Sequence, residues 1–478
     1  MQIIGREYER ELLRSYYEAE EPDFLVVYGR RRVGKTFLLR EHFDDNFCFH
    51  ATGLAKGSKK DQLEEFNRAL NRYGKHPYPL ADTWLEAFSQ LRQLVESSSI
   101  VGKKVIFLDE MPWMDTHRSR FITGLEAFWN GWASGRPEIL LIVCGSSAAW
   151  ITRKLFEDTE GLYNRVTRRM LLKPFTLREC EQFYQTRGIL LSRQQMLESY
   201  MILGGIPFYL RLMEQRFGLS QNIDRLFFTE AAPLKNEFKE LYHSIFKHPD
   251  NHMRIVEAIG TKGCGLGREE IIEATRISDG GGLTKSLYEL ELSGFIRKYY
   301  GYGKTEKHAL YQLIDPFSHY YLRFMRGANA AHDEHFWTNN EGTPALNTWK
   351  GYAFEQVCLL HVPQIKAKLG IAGVATNTYS WRSAARKDDT SVPGAQIDLV
   401  IERRDNTFNL CEIKFSNREF EIDKDYDEKL LRKRWAFEDV IGKSKTVHIT
   451  FITTYGVKRN KYWSSSVQSE VLMDDLFT

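Results

Sequence analysis

Three continuous apolar runs mark the first third of the chain: Phe24–Gly29 (FLVVYG), Val105–Glu110 (VIFLDE) and Ile139–Ser147 (ILLIVCGSS). Such runs, bounded by polar residues or glycine, predict strands buried on both faces of a parallel sheet. The segments between them are long enough for crossover helices, so this region predicts an α/β domain of βαβ units. From Leu177 to Gln221 the apolar spacing changes to three and four, interrupted by Gly204-Gly205 and Pro207. That pattern predicts a small helical lid. Asn251 to Phe324 predicts three helices and then two strands, joined through Gly301-Tyr302-Gly303-Lys304. The polar stretch 327–348 reads as a linker. Beyond it, GYAFEQVCLLHV predicts an amphipathic helix, and QIDLVIERRDNTFNLCEIKFS predicts two strands joined by Arg404-Asp405-Asn406. No internal repeat or low-complexity tract is present.

Composition narrows this picture. The 478 residues are 42% hydrophobic and 27% charged, ordinary globular usage, which excludes disorder, collagen and coiled coil as the main state. The formal charge is only +3, so any nucleic-acid surface must be local. Cys48, Cys144, Cys180, Cys264, Cys358 and Cys411 form no CxxC pair, which argues for reduced thiols and against structural zinc. The opening MQIIGREYER carries charge too early for a signal peptide. The longest apolar run falls far short of the ~20 residues a membrane helix needs. The expectation is a soluble, cytoplasmic protein that contacts no membrane.

The strongest chemical signal is Gly29-Arg30-Arg31-Arg32-Val33-Gly34-Lys35-Thr36, a GxxxxGK[ST] loop between a predicted strand and a predicted helix. Its glycines let backbone N–H groups point at phosphate oxygens, and the helix N-terminus adds partial positive charge. Lys35 can reach the β- and γ-phosphates of ATP, and the Thr36 hydroxyl can hold Mg²⁺. Asp109 and Glu110 close the second strand. Asp109 suits the Mg²⁺ position and Glu110 the orientation of an attacking water. Ser146 or Ser147 is the candidate γ-phosphate sensor, a helix N-cap being the plain alternative. Arg30, Arg31 and Arg32 face nucleotide phosphates, a partner or solvent.

IIGREYERELL, GRRRVGKT, LDE, VCGSS and GGIPFYL, in that order, resemble the archaeal-type ATPases of the AAA+/STAND group over about residues 1–209. The resemblance implies that Gly5, Arg6, Glu7, Gly205 and Pro207 approach the adenine. An arginine completing the site is either Arg165 or Arg153. Members of this kind work as rings or as monomers, which leaves the oligomeric state open.

The segment of three helices and a hairpin resembles a winged helix. Leu283–Ser293 would be its recognition helix, but Glu289 and Glu291 beside Lys285 argue against base readout. Lys304 and Lys307 on the wing are candidate phosphate contacts, and a protein-binding role is the alternative. Further on, Glu412 and Lys414 lie two apart, on one face of a strand, and Asp398 sits in the preceding strand. Carboxylates so placed can hold Mg²⁺ or Mn²⁺, and the lysine can orient a water and stabilise a phosphorane-like transition state. With Glu355 on the helix upstream, the set resembles the PD-(D/E)xK nuclease signature. Lys429, Lys433 and Arg434 either touch a nucleic-acid backbone or form a solvated face balanced by Asp425, Asp427 and Glu428. His248 and His252, with Pro249 between them, make no metal pair, nor do His332 and His335.

The expected fold is therefore multidomain α/β. A P-loop NTPase core (1–175) precedes a helical lid (176–245), a winged helix (246–326), a linker (327–348) and a restriction-endonuclease-like domain (349–478). The expected function is ATP hydrolysis coupled to metal-dependent DNA cleavage, in DNA processing or defence. The alternative is a nucleotide-dependent switch acting on protein partners, its nuclease-like domain a binding module or silent.

Overall fold

The computed structural model describes residues 2–157, 162, 164–304, 306–326, 333–383, 395–442 and 444–478. It divides into two compact units, Met1–Pro174 and Phe175–Thr478.

The first unit is built on a five-stranded sheet. Its strands are β1 (Asp23–Tyr28), β2 (Phe49–Thr52), β3 (Lys104–Asp109), β4 (Ile139–Gly145) and β5 (Arg168–Leu171). They lie in the order β2-β3-β4-β1-β5, and every pairing is parallel. The three predicted strands are the central ones, buried along almost their whole length. The sequence pattern does not reveal β2 and β5, because they are short edge strands that carry the half-buried His50 and the exposed Thr52 and Arg169. Phe66, Trp84, Phe88 and Phe121, from the covering helices, pack against the sheet residues Phe24, Ile106 and Leu141. The Trp84 and Phe121 rings meet edge to face at 4.8 Å. Burying such large rings against the strands stabilises the unit through the apolar area removed from water. Because β3, β4 and β1 are neighbours, their carboxyl ends form one crest.

The second unit begins with helices Leu177–Thr186, Arg193–Leu203, Leu219–Phe227 and Glu237–Ile245. Thr176 with Glu179, and Ser192 with Gln195, form capping boxes that fix the first two starts. Helices Pro249–Ile259, Arg268–Thr275 and Gly281–Leu292 follow. They accompany a small antiparallel sheet of β6 (Leu266–Gly267), β7 (Ile296–Tyr299) and β8 (Leu310–Leu313), in the order β6-β8-β7. Pro249 is the first residue of its helix rather than a break inside one, a position where its missing N–H costs nothing.

The stretch expected to be a linker departs from that reading. Residues 327–332, His332 included, lie outside the described residues. Residues 333–348 contain the helix Phe336–Asn340 and the start of the helix Pro344–Leu360. Trp337 is only 2% exposed and packs against Tyr320, Phe324 and Trp349. Asp224 accepts from the Trp337 and Thr338 N–H groups at 2.7 and 3.2 Å. Polar composition misleads here because one tryptophan and one capping carboxylate anchor the segment.

A second five-stranded sheet completes the unit. Its strands are β9 (Thr376–Ser383), β10 (Ala395–Arg403), β11 (Thr407–Lys414), β12 (Thr446–Thr453) and β13 (Ser469–Leu472). The order is β13-β12-β11-β10-β9, antiparallel from β9 to β11 and parallel from β11 to β13. The parallel step from β11 to β12 is crossed by the helix Lys424–Ile441.

Candidate functional site

The crest of the first sheet gathers the phosphate-loop residues. Between β1 and the helix Lys35–His42 the chain turns through Gly29 (φ 141°), Arg32 (φ 70°) and Gly34 (φ 91°). Gly29 admits no side chain, since a Cβ there would lie 2.3 Å from the Leu172 carbonyl oxygen. The buried Lys35 ammonium donates to the carbonyl oxygens of Gly29 and Arg30, each at 3.0 Å. These neutral acceptors are ones that a phosphate oxygen would outcompete. Thr36 Oγ1 donates to Asp109 Oδ2 over 2.9 Å, tying the loop to the end of β3. Burial and the neighbouring Glu110 raise the Asp109 carboxyl above its ordinary range, with Thr36 opposing. A hydroxyl and a buried carboxylate are hard oxygen donors that suit Mg²⁺.

Glu110 stands in left-handed backbone (φ 45°), and its Oε2 accepts from both the N–H and the hydroxyl of Ser146, at 3.2 and 3.0 Å. The structure thus distinguishes the two serines. Ser146 meets Glu110, whereas Ser147 precedes the short helix Ala148–Ile151 without a side-chain cap bond. Arg6, 5% exposed and also left-handed (φ 61°), donates to the carbonyl oxygens of Lys173 (2.7 Å) and Val33 (3.4 Å). The Gly5-Arg6-Glu7 segment therefore meets the phosphate loop through Arg6, while Glu7 opens the exposed face of the helix Glu7–Glu18. Arg153 and Arg165 are both exposed. Arg168 and Arg169 belong to β5, where Arg168 pairs with Asp23 at 3.0 Å and Arg169 covers the Phe156 ring.

Gly205 and Pro207 lie in the second unit. Gly204 (φ 66°) ends one helix and Pro207 begins the turn Pro207–Leu210. A Cβ on Gly205 would come within 2.3 Å of the Phe175 carbonyl oxygen. This glycine pair has a packing reason independent of any nucleotide.

The second sheet carries the other candidate set. Glu412 and Lys414 share one face of β11, with 3.9 Å between Lys414 Nζ and Glu412 Oε2. The pairing of β10 with β9 shifts register between Ile397 and Val400, so Asp398 sits on a bulge. Bulges re-aim side chains and are common beside functional sites. Glu355 projects from the helix Pro344–Leu360 into the field of Asp398, Lys414 and Glu412. Burial, and then the Asp398 charge, push the Glu355 carboxyl up to about 8, Lys414 opposing. The four residues are brought together, and their oxygen donors suit Mg²⁺ or Mn²⁺. Among the described residues, however, no three His, Cys, Asp or Glu groups lie close enough to hold a metal ion as they stand.

Glu412 instead has two partners from the helix Lys424–Ile441. The Lys433 ammonium pairs with its Oε1, and the Tyr426 hydroxyl donates to Oε2 over 3.1 Å. Burial and Glu412 raise the Tyr426 hydroxyl above its ordinary range, so it stays a donor. Residues 426 and 433 are seven apart, two helical turns, and share a face. That spacing was the available signal, hidden because Lys433 also fits a charge-balanced exposed face. Lys429 is exposed, with its ammonium 5.8 Å from the Tyr426 ring centre, and Arg434 pairs with Glu438 at 2.7 Å.

On the helix Gly281–Leu292, Glu289 accepts from His252 Nε2 at 2.8 Å, and Glu291 accepts from the Lys298 N–H at 3.4 Å. The wing lysine Lys304 is exposed, and the Lys307 side chain lies outside the described residues.

Residues 21–181 match the family described as AAA domain. An uncharacterized protein of Methanocaldococcus jannaschii, MJECL04, is 23% identical over 99% of this chain and 99% of its own length. The Walker-type ATPase paby2304 of Pyrococcus abyssi is 20% identical, covering 67% of this chain and 96% of that one, with a TM-score of 0.48. The Aeropyrum pernix ORC2 protein, solved as ADPNP–ADP complexes, is 13% identical over 66% of this chain and 91% of that one, with a TM-score of 0.43. The family match, together with the loop that carries Lys35, Thr36 and Asp109, supports an ATP-binding, AAA-type P-loop ATPase domain over residues 21–181.

Proposed function

We propose that this chain is an ATPase whose nucleotide cycle governs a metal-dependent DNA nuclease. In the first unit Lys35 takes the β- and γ-phosphates, Thr36 and Asp109 hold Mg²⁺, and Glu110, steadied by Ser146, orients the attacking water. Gly5, Arg6 and Glu7 are the proposed adenine-side residues of this unit. In the second unit the three helices and small sheet act as a winged helix, and the second sheet as a PD-(D/E)xK-type domain. Glu355, Asp398 and Glu412 would hold Mg²⁺ or Mn²⁺. When bound, the metal supplies Lewis-acid activation of the phosphodiester. Lys414 orients the water and offsets charge on the phosphorane-like transition state. Among the described residues no helix is long and apolar enough to cross a membrane. A cytoplasmic, DNA-directed role in processing or defence follows from this reading.

The observation that carries the nuclease reading is the convergence of Glu355, Asp398, Glu412 and Lys414, drawn from one helix and two strands, on a shared electrostatic environment. One observation favours a second reading, an ATP-controlled switch with a silent nuclease fold: Lys433 already neutralises Glu412. The deciding experiment incubates linear, circular and single-stranded DNA with Mg²⁺ or Mn²⁺, with and without ATP. Wild type is run beside Lys35→Ala, Asp398→Ala and Lys414→Ala. The nuclease reading requires cleavage that Asp398→Ala and Lys414→Ala lose while keeping ATP hydrolysis. ATP hydrolysis without cleavage by any protein would favour the switch, and ATP turnover surviving Lys35→Ala would overturn the nucleotide site.

A further inference from the structure

The hairpin after the helix Gly281–Leu292 does not project freely. Its connection makes a tight turn, with the Lys304 N–H donating to the Gly301 carbonyl oxygen over 2.9 Å. Gly301 bridges to Ser380 of β9, and the Tyr302 N–H donates to the Ser380 carbonyl oxygen at 3.3 Å. The Tyr302 ring enters the core of the second sheet. It lies edge to face on Tyr379 and Phe408, with centroids at 5.5 and 5.4 Å, and 5.6 Å from Phe437. Ser380 stands in β9 opposite the β10 bulge that carries Asp398. The hairpin is therefore pinned across the sheet edge next to one of the candidate carboxylates.

That docking sets the position of Arg297 on β7. Its Nε donates to Gln312 Oε1 at 2.7 Å, and its guanidinium lies over the Tyr299 ring, 4.6 Å from the centroid. These contacts fix the plane of the group and use one donor. Among the described residues no carboxylate lies within ion-pair distance of Arg297, whereas Lys414 and Lys433 both lie within that distance of Glu412. The Asp398 charge nonetheless reaches both Arg297 and Tyr299. An oriented, half-buried guanidinium with spare donors beside a carboxylate site is suited to a phosphate.

We propose that Arg297, carried by the docked hairpin, is a phosphate-binding residue of the C-terminal carboxylate site and holds the nucleic-acid backbone beside Asp398. The inference deepens the nuclease reading and rests on it. It also gives the hairpin a different task from a free wing, whose contacts would come from the exposed tip at Lys304.

The test measures anisotropy of labelled duplex and single-stranded DNA on the full chain, in EDTA, across about 50 to 200 mM salt. Arg297→Gln should weaken binding about tenfold and lower the slope of log affinity against log salt by about 1. Arg297→Lys should keep most of that slope, which guards against misfolding of the glutamine variant. Lys304→Gln should change little. Wild-type binding that Arg297→Gln leaves intact, or that Lys304→Gln weakens instead, overturns the inference and leaves the nuclease reading standing. A wild type that binds neither DNA, and cleaves neither when Mn²⁺ is supplied, overturns that reading and this inference with it.

Discussion

The Ser146 hydroxyl at the end of β4 donates to the Glu110 carboxylate at the end of β3 over 3.0 Å, and the Ser146 N–H donates to the same oxygen. The two strands are hydrogen-bonded neighbours, so the sheet itself sets this contact. A hydrogen bond to a charged group contributes about 1.5–3 kcal/mol. Ser146→Ala should therefore lower kcat for ATP about tenfold while leaving nucleotide affinity within about twofold. Steady-state hydrolysis alongside equilibrium nucleotide binding checks this. A rise in kcat would mean that the serine restrains Glu110 rather than aims it.

Stability should fall on mild acidification. Burial holds the His361 and His319 imidazoles down to about 4, from an ordinary 6.5. Val357 O sits 2.8 Å from His361 Nδ1, which fixes the tautomer whose Nε2 accepts from the Leu177 N–H. His319 Nδ1 accepts from the Trp349 indole in the same way. Between these two pH values the unfolded histidines bind protons that the folded ones refuse, so the contribution of this pair is full above about 6.5 and drains toward 4, while the raised Glu355 carboxyl works in the opposite sense. Thermal unfolding across this window should show a shallower decline in His361→Gln than in wild type. Parallel curves would contradict the assignment.

Lys433 should compete with a divalent cation for Glu412. Its ammonium occupies one carboxylate oxygen, and removing it leaves a nearly buried charge without its closest partner. Lys433→Met should bind Mn²⁺ at least about tenfold more tightly, a gain of ~1.4 kcal/mol. Calorimetry or Mn²⁺ electron paramagnetic resonance on the metal-stripped protein measures it. Weaker binding would make Lys433 a supporting residue of the metal site.

Tyr302→Ala should cost about 2 kcal/mol of stability, because it empties a slot lined by Tyr379, Phe408 and Phe437. Tyr302→Phe should cost little, since the aromatic contacts remain. Chemical unfolding monitored by far-UV dichroism distinguishes the two. Equal loss in both variants would point to the hydroxyl instead.

Chemistry carried by neighbours in the chain was legible from the sequence alone. Gly29 to Thr36 are consecutive, Asp109 and Glu110 follow one apolar run, and Glu412 and Lys414 are two apart on a strand. Local backbone geometry turns each spacing into a position, so the P-loop, the strand-end acids and the ExK face needed no tertiary knowledge. The three central strands of the first sheet were equally plain, because burial on both faces forces continuous apolar runs.

Tertiary structure decided what depends on distant partners. It placed Ser146, and not Ser147, against Glu110, because strand adjacency rather than residue type sets that contact. It anchored residues 333–348 through Trp337 and Asp224, turned Lys433 from an outward-facing cation into the partner of Glu412, and drove Tyr302 into a core far along the chain. In each case the residue type admits both a solvated and a packed role. The choice between them is set by side chains that meet only when separate segments fold against one another.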